Sequence, residues 1–166
     1  QQEFGRTFRE SILPTLRQEG ILLAKPEQLT TEQLNFVRTF FSEQVKPQLK
    51  IHQLQLDQPI PFLDNKALYF LYASEAEEVF HLVNIPSDQL DRFVVLPQLD
   101  QELHYIIYLD DIIRIGLHKQ MKQAEAYSIK LSRDAELYLG DEYSGDLLAK
   151  IKASLQEREE GLPTRM

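Results

Sequence analysis

Four short runs rich in aromatic and branched residues, at positions 67–73, 79–85, 92–96 and 103–109, follow one another with spacers of only about five to seven residues. A parallel crossover needs a dozen or more residues, so this spacing predicts antiparallel strands of one sheet. Residues 126–131 read as a further strand. Helical periodicity lies to either side. Phe4, Phe8, Ile12 and Leu16 form one apolar stripe, with a break or kink expected at Ile12–Leu13 because Pro14 lacks an N–H and its ring crowds the preceding turn. Gly20 supplies a stop.

Thr30 and Gln33 have the spacing of a capping box, and Leu34, Val37, Phe41 and Val45 continue as a helix over 31–46 until Pro47. Residues 50–64, with Pro59 and Pro61, read as an ordered irregular connector. A helix is expected over 110–121, although Ile113, Ile115 and Leu117 alternate as in a strand. The last helix carries Leu147, Leu148, Ile151 and Leu155, with Ser144 as its cap and Gly161 and Pro163 at its end. The expected architecture is α+β: an antiparallel sheet with helices from the N- and C-terminal ends packed against it, in a single domain spanning residues 1–166.

Composition narrows the chemistry. With no cysteine, disulfides, zinc thiolates and a thiol nucleophile are excluded, and a cytoplasmic location is expected. Lys and Arg number 18 against 26 Asp and Glu, and the resulting charge of −8 argues against a nucleic-acid coat. No apolar run reaches the ~18 residues of a membrane span, and the first thirty residues do not resemble a signal peptide. The chain starts at Gln1 rather than Met, so it reads as an excised piece.

Gly140-Asp-Glu-Tyr-Ser-Gly145 has the glycine spacing of a phosphate loop, but Asp146 and Leu147 replace the required Lys and Ser or Thr, so it reads as a turn entering a helix. His52, His81, His104 and His118 share no metal-ligand spacing. Asp110 and Asp111 suit the first turn of a helix better than an acid–base pair. No Gly-x-Ser-x-Gly elbow is present. Charge is nonetheless uneven: residues 112–133 hold Arg114, Lys119, Lys122, Lys130 and Arg133 against Glu125 alone, whereas 134–160 hold eight acids against three bases. The basic segment is a candidate for anion binding or interdomain docking, and Arg133 with Asp134 is a candidate charge pair for a partner.

Ala126-Tyr-Ser-Ile-Lys-Leu-Ser-Arg-Asp-Ala-Glu-Leu137 resembles the segment around the Thr-Arg-Asp-Ala-Asp/Glu signature of the long-form bacterial polyphosphate kinases, which work through a phosphohistidine. Other blocks follow in that family's order. They include Glu3-Phe4-Gly5 through Ile12-Leu13-Pro14, Val45-Lys46-Pro47-Gln48-Leu49, Pro59-Ile60-Pro61-Phe62-Leu63-Asp64-Asn65, Arg92-Phe93-Val94-Val95-Leu96-Pro97 and Leu109-Asp110-Asp111-Ile112-Ile113. The match is to the middle, or head, domain. Lys50-Ile51 and Ser132 depart from the family's Thr-Pro and Thr, and an aromatic-rich turn after the 110–120 helix is missing.

The resemblance implies a parent enzyme that moves the terminal phosphate of ATP reversibly onto inorganic polyphosphate with magnesium. The family's catalytic histidines and phosphate-binding arginines belong to C-terminal domains, and its nucleotide-contacting asparagine to an N-terminal domain. No catalytic residue, metal or cofactor is therefore expected in this chain, which alone should be inactive. The resemblance further implies a homodimer, contacts with other domains of the parent, cytoplasmic location with membrane association of the parent left open, and a share in the polymer channel. Arg114, Lys119, Lys122, Arg133 and Asp134 are the candidate polyphosphate-binding or interdomain residues. The rival readings are a free-standing α+β interaction domain and a small phosphatase using His118. The latter needs an anion cradle that no Gly-rich loop supplies.

Overall fold

The computed structural model describes residues 2–54, 61, 63–73, 80–99, 102–121, 124–130, 132–133 and 163–165. In chain order the helices are α1 (Gln2–Thr7), α2 (Leu13–Gln18), α3 (Thr31–Phe40) and α4 (Leu109–Leu117). The strands are β1 (Ile21–Leu23), β2 (Ile51–Leu54), β3 (Leu68–Ala73), β4 (Phe80–Ile85), β5 (Phe93–Val95), β6 (His104–Tyr108), β7 (Glu125–Lys130), β8 (Ser132–Arg133) and β9 (Pro163–Arg165). The α+β class is as expected. The helix expected around 144–160 lies outside the described residues, as does the Gly140–Gly145 turn. No helix among the described residues is long and apolar enough to cross a membrane.

The chain forms two compact units, each discontinuous in sequence: residues 1–49 with 85–123, and residues 50–84 with 124–166. The strands do not form one sheet, as the sequence had suggested. In the first unit the order is β1-β6-β5, with β5 antiparallel to β6 and β1 parallel to it, Ile21 opposite His104. Short spacers constrain only consecutive strands, and β1 is separated from β6 by several intervening elements. At three apolar residues, β1 was too short to show alternation. Its ladder is extended by His104 N–H donating to Gly20 O (2.7 Å) and Ala24 N–H donating to Ile106 O (2.8 Å). Gly20 itself has φ 77°, the left-handed conformation that a residue without a Cβ adopts at low cost.

In the second unit the order is β2-β4-β3-β7, with β2 antiparallel to β4 and β7 antiparallel to β3. Ile51–Leu54, read from sequence as part of an irregular connector, is therefore a strand. Its burial alternates, and its partner β4 supplies the pairing that no local pattern could reveal. Tyr69, Phe70, Tyr72, Leu82 and Val83 are buried in this sheet. A short β8–β9 pairing sets Ser132 opposite Arg165.

The irregularity expected ahead of Pro14 takes the form of a widened turn that ends at Ile12, without interrupting the helical winding. The chain runs through a π-helical turn, Phe8–Ile12, in which Leu13 N–H bonds back to Phe8 O, and Pro14 then falls in the first turn of α2. The same device recurs before Pro47: Phe41–Val45 is a π-helical turn in which Lys46 N–H bonds to Phe41 O. In both places the residue before the proline reaches back five positions, so the ring meets a widened turn instead of the carbonyl of a regular helix.

The capping box of α3 is present. Gln33 N–H donates to Thr30 Oγ1 and Thr30 N–H to Gln33 Oε1, both at 3.3 Å. Gln33 is also buried, and its Nε2 donates to Pro97 O at 3.3 Å, so one side chain starts the helix and ties it to the segment after β5. Helix α4 buries Leu109, Ile112, Ile113 and Leu117, and Gly116 lets the Phe41 ring lie directly on the helix backbone. At its start, Arg92 Nη2 contacts both carboxylate oxygens of Asp110 at 3.0 Å while Leu109 N–H donates to Arg92 O at 2.9 Å.

Candidate functional site

The polar face of α4 carries Asp111, Arg114, Ile115 and His118, spaced i, i+3, i+4 and i+7 and therefore in line along one side. The opposite side is the buried stripe just described, so core packing fixes the direction in which this face points. Facing the concavity from elsewhere in the same unit are Arg38, on the polar side of α3, and Lys25, Pro26 and Glu27, at the 3₁₀ turn Pro26–Gln28. That turn is held by Lys25 N–H donating to Gln28 Oε1 and Gln28 N–H to Lys25 O. Together these residues line an open recess of about 620 Å³, within the ~300–1,000 Å³ usual for small-molecule sites.

Its electrostatics are mixed. Lys25, Arg38 and Arg114 are exposed at the rim, with Glu27 and Asp111 among them. Arg114 Nη1 lies 3.8 Å from Asp111 Oδ1, too long for a firm hydrogen bond. The Asp111 side chain is only 18% exposed. Burial raises its pKa above the usual 3.8; Arg114 opposes this and the carboxylates of Asp110 and Glu27 add to it. Tyr108, just before α4, is likewise raised, chiefly by burial, with Arg92 acting in the opposite sense.

Of the residues singled out from sequence, Arg114 lines this recess and Lys119 is exposed just beyond His118 in the turn after α4. Arg133 belongs to β8 in the other unit. Lys122 and Asp134 lie outside the described residues. Asp110 and Asp111 occupy the first turn of α4 as expected, but Tyr108 is the N-cap and makes no side-chain cap bond. His81 and His104 lie in strands, and no cluster of three or more His, Cys, Asp or Glu side chains able to hold a metal occurs among the described residues. Lys25, Glu27 and Arg38 were missed. Their signal in the sequence is slight: a charge on the polar face of a helix and a Lys-Pro-Glu turn, each ordinary by itself.

The family model for the polyphosphate kinase middle domain matches residues 32–166. The chain belongs to that family. It is 34% identical over 171 residues to a polyphosphate kinase of Bacillus cereus, covering 96% of this chain and 24% of the relative. A Vibrio cholerae polyphosphate kinase is 33% identical over 174 residues, covering 99% of this chain and 25% of the relative. The crystal structure of polyphosphate kinase from Porphyromonas gingivalis matches with a TM-score of 0.66 at 29% identity, over 78% of this chain and 22% of that one. This polyphosphate kinase middle domain thus spans about a quarter of the length of the curated relatives it matches. The ordered blocks from Val45 onward fall inside the matched region.

Proposed function

We propose that the chain serves as the supporting middle domain of a polyphosphate kinase that transfers the terminal phosphate of ATP reversibly to inorganic polyphosphate with magnesium. The observation that carries this reading is the middle-domain match over residues 32–166, in relatives about four times as long. Phosphoryl transfer needs nucleophile, metal and charge clamps held together, and in this reading those groups belong to other domains of the parent. In this reading the domain supports dimerisation and contributes to the polymer channel in a cytoplasmic enzyme. Arg114, Lys119, Lys122 and Arg133 meet polyphosphate or a neighbouring domain, and Asp134 accompanies Arg133.

The test compares the purified 166-residue chain with the full-length parent in ATP-dependent polyphosphate synthesis with magnesium. The parent should be active and the chain alone should give no polymer. Measurable turnover by the chain would overturn its supporting role. An inactive parent would overturn the family activity as the context for it. For the basic residues, reversing the charges of Arg114 and Lys119 in the parent should weaken polyphosphate binding and flatten its salt dependence.

A further inference from the structure

The recess beside α4 has a composition that a polymer channel does not require. Three cations converge on it from three separate segments: Lys25 from the turn after β1, Arg38 from α3 and Arg114 from α4. His118 stands one helical turn beyond Arg114. Pro26 and Ile115 add an apolar wall, while Glu27 and Asp111 set two carboxylates among the bases. Three positive charges against two acids leave a small positive excess among the lining residues.

From this arrangement we infer that the recess binds the phosphate of a small phosphate monoester, with the ester's carbon skeleton against Pro26 and Ile115. The two guanidinium groups supply planar donor forks that suit phosphate oxygens, and Lys25 adds a mobile ammonium. A monoester phosphate carries about 1.5 to 2 negative charges at neutral pH, concentrated at one end. That end is placed toward Lys25, Arg38 and Arg114, which line the recess, and the uncharged remainder toward the apolar wall. A phosphate chain threaded through the recess would set further negative charges against Glu27 and Asp111. The site is thus suited to a compact effector and is distinct in ligand class from the polymer contacts proposed above, although Arg114 borders both. Binding at this recess does not depend on the activity of the parent.

The probe is phenyl phosphate, titrated into the 166-residue chain and followed by heteronuclear NMR, beside inorganic phosphate, benzoate and tripolyphosphate. Phenyl phosphate should bind saturably, shift the signals of Arg38, Ile115 and His118, and bind at least tenfold more tightly than either inorganic phosphate or benzoate. Arg38→Ala, at an exposed position, should keep the fold by circular dichroism and weaken phenyl phosphate binding tenfold or more. Three results would each overturn the inference: no saturable binding up to about 10 mM, weaker than the ~4 kcal/mol of a millimolar site; unchanged affinity in folded Arg38→Ala; or tripolyphosphate binding as tightly as the ester.

Discussion

Replacing Gly116 with alanine tests how α4 is seated. In an open helix the substitution would stabilise by roughly 0.5–1 kcal/mol, because glycine loses more backbone freedom on folding. Here a Cβ built on Gly116 lands within the van der Waals envelope of the Phe41 ring, against Cγ, Cδ1 and Cδ2. Phe41 is itself only 8% exposed, and it belongs to the π-helical turn that precedes Pro47, so the ring can retreat only by disturbing that turn. Overpacking of this kind costs about 1–3 kcal/mol. Because several ring atoms are struck at once, we place the cost at the upper end, leaving a net loss of about 2 kcal/mol after the propensity gain. With a urea m-value of about 2 kcal/mol/M the midpoint should fall by about 1 M. Phe41→Leu combined with Gly116→Ala should lose less than the sum of the two single variants, since the narrower side chain vacates the contested volume. Urea unfolding by circular dichroism of the four proteins decides the matter. A Gly116→Ala midpoint equal to or above that of the parent chain would refute the packing argument.

Two further outcomes follow from local geometry. Gly20→Ala should destabilise by about 1–2 kcal/mol, because the residue sits at φ 77° and a Cβ there would come within 3.1 Å of Glu102 O; an unchanged thermal midpoint would contradict this. For Asp111, burial raises the folded-state pKa, so the native state holds its proton more readily than the unfolded chain. Stability therefore falls as pH rises from about the ordinary 3.8 through the raised value, and the full burial cost stands above it. Asp111→Asn should flatten that slope in urea midpoints measured from about pH 4 to 7. If the parent chain gains stability over the variant across this window, the attraction of Arg114 outweighs burial and the assignment is wrong.

The parts of the fold legible in sequence were those whose cause is local. Thr30 and Gln33 announce a helix start by spacing alone, and the apolar runs at 68–73, 80–85 and 104–108 carry their strand character in their composition. The helix at Leu109–Leu117 prevailed over the alternation of Ile113, Ile115 and Leu117, because Ile112, Ile113 and Leu117 share a buried face at helical spacing. What escaped was set by distant partners. β1 exists through its ladder with β6 and β2 through its ladder with β4, and the division of the strands between sheets leaves no mark in any window of ten residues. Gln33 could be read as a cap but not as the buried tie to Pro97. Arg114 was visible as part of a basic stretch. Lys25 and Arg38 join it only because the turn after β1 and α3 are folded toward α4.

The wide turn ahead of Pro14 also bears on the phase of the chain. A strict repeat of four drifts about 40° per step around a helix of 3.6 residues per turn, or about 120° from Phe4 to Leu16. The looser winding between Phe8 and Ile12 slows that drift and keeps the four side chains nearer a common line.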